Sequence, residues 1–115
     1  MAGRLTDDER ADRAMTEAKL NDRVGYRARK HGVKMLRIQR ALAAGAWMTP
    51  AAKGFPDLLV VTPTRILYRE LKRELGKLSP EQEAWRDRIR RAGGDWDVWR
   101  PSDLRAGRIE VELRY

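Results

Sequence analysis

The chain has no cysteine, one histidine and one phenylalanine, and no apolar run approaches the ~20 residues of a membrane span. Without cysteine, disulfides and thiolate metal sites are excluded, which fits a cytosolic protein. The single histidine, His31, argues against a histidine general base or a histidine zinc site. It stands before Gly32 at an expected helix C-terminus, where a cation is mildly favoured, and reads as a capping or surface residue. The N-terminus is polar and lacks the apolar stretch of a signal peptide. Acid is the scarcer charge: 17 Asp and Glu stand against 25 Lys and Arg, for a net charge of +8 and a pI of about 10.4. That pI exceeds the value of roughly 9 that marks nucleic-acid binders. A solvated basic surface has the same composition, so charge alone decides nothing. At 115 residues and 42% hydrophobic content the chain is one domain with a modest core.

What is present is concentrated in residues 54–72, Gly-Phe-Pro-Asp-Leu-Leu-Val-Val-Thr-Pro-Thr-Arg-Ile-Leu-Tyr-Arg-Glu-Leu-Lys. Two apolar runs flank a Thr-Pro-Thr-Arg turn, the pattern of a β-hairpin. With residues 62–65 as the loop, Val61 pairs with Ile66, Leu59 with Tyr68 and Asp57 with Glu70. Opposed residues have Cβ atoms roughly 5 Å apart, and Lys72 shares the face of Glu70. Two carboxylates and an amine therefore converge at the open end of an apolar hairpin. Opposed like charges destabilise a sheet, and a hard cation such as Mg²⁺ would relieve them through carboxylate and water oxygens. The lysine would orient or activate a water, or offset charge on a phosphate. A one-residue slip of register would separate Asp57 and Glu70 onto different faces.

Along the chain, Thr6-Asp7-Asp8-Glu9 has the form of a capping box, and the first dozen residues are the segment expected to be most mobile. Leu20, Val24 and Ala28 predict a helix over residues 16–31, stopped by Gly32. Val33 to Gln39 reads as a strand, and residues 40–53 as the longest loop. Ser79-Pro80-Glu81-Gln82 opens a second helix that runs to Ala92 before Gly93-Gly94, with Trp85, Ile89 and Ala92 as its buried stripe. Asp95 to Arg100 reads as a strand. Ile109, Val111, Leu113 and Tyr115 alternate with Arg108, Glu110, Glu112 and Arg114, which predicts a last half-buried strand. Trp85, Trp96 and Trp99 read as core or core-edge residues. The expected fold is α/β, with an α-β-β-β-α-β order and a central mixed sheet flanked by helices.

Pro56-Asp57, twelve residues, then Glu70-Leu71-Lys72 resembles the PD-(D/E)xK nuclease signature. The flanks narrow the resemblance. Gly54-Phe55-Pro56-Asp57-Leu58-Leu59, Glu70-Leu71-Lys72, Gly76-Lys77-Leu78-Ser79-Pro80-Glu81-Gln82 and Val98-Trp99-Arg100-Pro101-Ser102-Asp103, in that order, resemble the VRR-NUC family of that superfamily, above all its stand-alone phage and bacterial members. The likeness covers about residues 16–104. It implies a restriction-endonuclease-like nuclease domain over residues 16–115 behind an N-terminal extension of residues 1–15. It also implies a DNA endonuclease dependent on Mg²⁺, with Mn²⁺ able to substitute. Such an enzyme would act on branched DNA, as a homodimeric four-way (Holliday) junction resolvase in DNA repair or recombination, in a bacterial or phage-infected cytoplasm.

Carried over by position, Asp57 and Glu70 would ligate the metal together with the backbone carbonyl of Leu71. Lys72 would position the attacking water, Gln82 would support the centre, and Glu17 would be the acidic residue of the first helix. Relatives often carry a second Glu where this chain has Lys19, and the loop from Arg40 to Lys53 has no evident counterpart. Gln82 also suits a pure capping role, and Glu17 suits a first-turn acid facing the helix dipole. Arg37, Arg73, Lys77, Arg86 and Arg90 are candidate phosphate contacts, and each is equally readable as solvated surface. Trp47 would either stack on an unpaired base or pack on a dimer partner. Two rivals stand beside the resolvase: the same chemistry on flap, nicked or plain duplex DNA, and a non-catalytic DNA-binding accessory protein.

Overall fold

Short polar caps set the helix starts. A computed structural model describes residues 3–38 and 52–115 of the chain. Thr6 opens α1 (Asp7–Ala14) with a complete capping box to Glu9. The Thr16 hydroxyl accepts from the Lys19 N–H at the start of α2 (Glu17–Lys30), which ends at His31 and Gly32 as its periodicity predicts. Ser79 and Gln82 cap each other at the start of α3 (Pro80–Arg91). Such caps each contribute about 1 kcal/mol. The N-terminal segment, expected to be mobile, carries α1. Its buried Asp12 accepts from Arg105 at 2.7 and 3.1 Å, which docks α1 on α4 (Pro101–Arg105).

The strands are β1 (Lys34–Arg37), β2 (Leu58–Val61), β3 (Ile66–Leu71) and β4 (Asp95–Trp99). They form one mixed sheet in the order β1-β2-β3-β4, antiparallel except for the parallel pair β3 and β4. The predicted hairpin register holds: Val61 faces Ile66 and Leu59 faces Tyr68. Thr62 closes the turn, its N–H donating to Arg65 O at 2.9 Å and its hydroxyl accepting from Arg65 N–H at 3.1 Å. β1 is shorter than the expected 33–39. Trp47 and most of the expected 40–53 loop lie outside the described residues.

The two faces of the sheet differ in what they carry. Leu58, Val60, Leu67, Leu71 and Trp99 join Leu20, Val24 and Ala28 of α2 in the core. Residues offset by one from these, namely Asp57, Tyr68, Glu70 and Trp96, belong to the other face. There α3 packs: Phe55 stacks between Tyr68 (6.4 Å between centroids) and Trp85 (4.9 Å). Trp96 and Trp99 are buried on opposite faces of β4, so the strand is covered on both sides. Within α3, Trp85 and Ile89 are half-buried, but Ala92 is exposed at the C-cap and takes no part in the stripe.

The predicted C-terminal strand is instead a helix, α5 (Arg108–Arg114). Ile109 and Leu113 are fully buried, whereas Val111 and Tyr115 are exposed. A period of two and a spacing of four share Ile109 and Leu113, so alternation alone does not separate strand from helix. Two terms favour the helix. Arg108 pairs with Glu112 at 2.6 Å one turn on, and Ile109 and Leu113 enter the core beside α2. Burial of each such side chain contributes about 1.5–3 kcal/mol, which outweighs the marginal stability of an isolated seven-residue helix. Among the described residues no helix is long and apolar enough to cross a membrane.

Candidate active site

Asp57 ends the segment Gly54-Phe55-Pro56, just before β2, and Glu70 and Leu71 end β3. The ladder Leu58 to Arg69, continued by one residue, sets Asp57 against Glu70. Asp57 Oδ2 accepts the Leu71 N–H at 2.8 Å, which ties the two strand ends together. Glu70 is only 2% exposed. Its Oε1 accepts from Gln82 Nε2 at 2.8 Å, and its Oε2 is buried with no donor among the described residues. Burial first, then the Asp57 carboxylate, push the Glu70 pKa up to about 9; Lys72 acts against this, and the more distant Glu17 adds to it weakly. A buried acid facing a second acid resists ionisation for both reasons.

Gln82 therefore holds two posts. Its Oε1 accepts the Ser79 N–H at 2.8 Å as a cap, while its Nε2 reaches Glu70. The cap fixes the side chain that supports the carboxylate. Lys72 leaves the strand at its C-terminal end, its own N–H donating to Trp99 O at 3.1 Å. Glu17 is exposed on the first turn of α2, near enough to act on Glu70 through its field, but not a contact of it. The structure thus brings Asp57, Glu70, Lys72 and Gln82 together and leaves Glu17 at the rim.

Hard oxygen donors with one unsatisfied buried oxygen are what a divalent cation would complete. Among the described residues no group of three or more acidic, histidine or cysteine side chains gathers. A cation here would rest on Asp57, Glu70 and a backbone carbonyl such as that of Leu71, with water for the remainder. Mg²⁺ accepts that composition, since it keeps several waters.

Two residues of this region have roles that sequence reasoning did not assign. Arg100 Nη1 donates to the carbonyls of Arg73 (2.7 Å), Glu74 (3.2 Å) and Gly76 (2.8 Å), clamping the loop that directly follows Lys72. Arg100 stands inside the Val98-to-Asp103 motif, but nothing in sequence spacing shows that its guanidinium folds back onto residues 73–76. Gly54 has φ +86°, and a Cβ there would lie 2.5 Å from the Glu81 carbonyl carbon at the start of α3. The absent side chain lets the Asp57 segment and the Gln82 helix meet. Gly54→Ala is expected to cost about 2 kcal/mol or more in urea denaturation, from strain and backbone collision together.

The candidate phosphate contacts are scattered. Arg90 donates to Trp96 O at 3.2 Å and lies over the Trp96 ring at 5.2 Å, which makes it a structural brace. Arg86 pairs with Asp87 at 2.9 Å and Glu83 at 3.8 Å. Arg73 is exposed and donates to Arg13 O at 3.1 Å, and Lys77 is exposed nearby, past the strand end. Arg37 is half-buried against α2. His31 sits at the α2 C-cap, its Nε2 2.9 Å from Glu110 Oε2.

Comparison with known proteins identifies the fold and the family. No curated protein matches the chain. A solved structure described as a VRR_NUC domain superposes with a TM-score of 0.63 at 23% identity, covering 89% of this chain and all of its own, which shows a shared fold. The sequence profile of the VRR-NUC domain matches residues 12–103, spanning both opposed carboxylates, Lys72, Gln82 and the Arg100 loop clamp, and on that match the chain belongs to the VRR-NUC domain family, nucleases of the PD-(D/E)xK type.

Proposed function

We propose that the chain is a divalent-metal-dependent endonuclease that hydrolyses phosphodiester bonds in branched DNA, with the four-way junction as its substrate. The observation that carries the reading is the buried Glu70 carboxylate, opposed to Asp57 and short of one partner, beside Lys72. Glu70 and Asp57 thus face each other with no cationic side chain hydrogen-bonded to either among the described residues. A divalent cation held by Asp57, Glu70 and the Leu71 carbonyl supplies positive charge at the scissile phosphate when bound. Gln82 keeps Glu70 pointed at the site through its 2.8 Å hydrogen bond. Asp57 is held by the Leu71 N–H. Lys72 positions the attacking water or offsets charge on the phosphate. The water oxygen bonds to phosphorus in line with the departing 3′-oxygen; the products are a 5′-phosphate and a 3′-hydroxyl. A junction asks for two symmetric cuts, and one chain contributes one site, so a C2 dimer is the economical assembly.

The test is incubation with a labelled four-way junction and matched linear duplex in Mg²⁺, with Asp57→Ala alongside. Paired symmetric nicks on the junction, absent in the variant, support the reading. Equal cutting of plain duplex, flaps or nicked DNA would retain the nuclease and remove the junction preference. Binding without cutting in Mg²⁺ or Mn²⁺ would overturn the enzyme in favour of a DNA-binding accessory protein.

A further inference from the structure

The other face of the sheet carries a feature that the active site does not use. Gly25 is buried in the middle of α2, and the position its Cβ would take lies 2.5 Å from Arg37 Nη2 and 3.5 Å from Arg29 Nη1. The two guanidinium nitrogens are thus no further apart than those two distances together. Neither side chain makes a hydrogen bond or ion pair among the described residues. Among the described residues no carboxylate pairs with either guanidinium, and residues 1–2 and 39–51 contain no Asp or Glu. With Lys34, these two arginines line a cavity of about 660 Å³ between α2 and the edge strand β1. Two unpaired guanidinium groups brought together over a glycine repel each other, and a bound anion would relieve that. Arginine forks match phosphate oxygens in particular.

We propose that Arg29 and Arg37 form a clamp for a backbone phosphate of duplex DNA, a second contact outside the active site. The proposal rests on the nuclease reading for the identity of the anion. Location supports it. Arg37 pairs with Leu58 across β1 and β2, and the next residue, Ile38, donates its N–H to Asp57 O at 2.9 Å. Neighbouring strands lie about 4.8 Å apart. Arg37 therefore lies one strand away from Asp57 at the same end of the sheet, on the α2 face, and a duplex arm that wraps the β1 edge at that end would reach both. A Cβ at Gly25 would displace the Arg37 guanidinium from its present position.

The experiment is fluorescence anisotropy with a labelled linear duplex across 50–200 mM KCl in EDTA, using the full chain. Each phosphate contact contributes about one to the slope of log affinity against log salt. The double variant Arg29→Ala/Arg37→Ala is expected to lose about two from that slope and to bind about tenfold more weakly at low salt. Arg29→Lys/Arg37→Lys, which retains charge, is expected to recover most of the slope. Arg114→Ala is the charge control, since Arg114 adjoins Tyr115, whose carbonyl accepts from Thr64 at the hairpin turn, the far end of the sheet. Removing a repulsive pair should leave melting unchanged or raise it, so the variants remain readable. A wild-type slope in the double variant, with junction cleavage intact, overturns the clamp and leaves the nuclease standing. A parent chain that neither binds nor cuts DNA overturns the nuclease reading, and the clamp with it.

Discussion

Asp57→Asn is expected to lower Mg²⁺-dependent cleavage by roughly a thousandfold or more while leaving the fold intact. Loss of metal-borne charge stabilisation is worth several kcal/mol, and 1.36 kcal/mol is a factor of ten in rate. Asparagine keeps an oxygen that can accept the Leu71 N–H, so the tie between the strand ends survives. The variant should also alter stability in a direction that mere damage would not. Glu70 is raised to about 9 by burial and then by Asp57. Between its ordinary value of 4.5 and about 9 the native chain holds a proton that the unfolded chain releases. Metal-free stability is therefore full below pH 4.5 and falls as pH rises towards 9, with a slope of up to about 1.4 kcal/mol per unit for one group. Removing the Asp57 charge takes away the second cause of the shift, so Asp57→Asn should melt higher than the parent at pH 8.5 without metal, and the difference should shrink at pH 5. Mg²⁺ requires Glu70 ionised, so its stabilisation of the parent should be larger at pH 8.5 than at pH 6. Melting curves at these pH values, with and without Mg²⁺, check each point. A variant that melts lower at pH 8.5 would show that the opposed carboxylates do not repel as described.

Glu112→Ala is expected to give the largest loss of stability. Arg69 is 2% exposed, in the core beside Trp99. Glu112 accepts from Arg69 Nε (3.1 Å) and Nη2 (2.7 Å), from Trp99 Nε1 (3.0 Å) and from Arg108 Nε (2.6 Å). Removing one partner of a buried pair costs about 3–5 kcal/mol because the other charge is stranded. Asp95 Oδ1, 3.0 Å from Arg69, retains part of the compensation, which argues for the lower end, about 3 kcal/mol. For a domain of this size that is a melting-temperature drop of roughly 10–15 °C. Replacing both partners, as in Arg69→Met/Glu112→Leu, should recover much of the loss, since no uncompensated charge remains. Calorimetry of the parent, single and double variants reads the result. An effect below about 1 kcal/mol in the single variant would mean that water or Asp95 satisfies Arg69 without α5. Because Arg69 precedes Glu70 on β3, loss of this anchor should lower cleavage in parallel with unfolding, not ahead of it.

Glu112 also marks the limit of what was legible beforehand. Its alternation with Leu113 and Val111 reads as a strand, yet the chain forms α5, because Ile109 and Leu113 find a buried surface against α2 that no local pattern announces. Ala92 failed as a stripe residue for the opposite reason: periodicity continued past the point where the neighbouring surface ends. Arg90, read as a possible phosphate contact, is bound to Trp96, and a sequence does not distinguish a free arginine from a bracing one. Local chemistry was more dependable. The capping sequence at Ser79 placed the start of α3, and the α2 periodicity with Gly32 placed the helix before β1, whereas the capping box at Thr6 was legible but the helix behind it, α1, was not expected.

The sequence by itself determined the hairpin, its register and hence the meeting of Asp57 with Glu70, because a tight turn between two apolar runs leaves one pairing that keeps Leu58, Val60 and Leu67 on the buried side. It determined Gln82 as a cap, because capping chemistry is local. Only the tertiary structure decided that the same side chain reaches Glu70, that Arg100 closes over residues 73–76, that Gly54 touches Glu81, and that Arg29 and Arg37 meet over Gly25. Each of these joins elements distant in the chain. Their contacts depend on how helices lie on the two faces of the sheet, which is set by the summed packing of the core and not by any neighbouring residue.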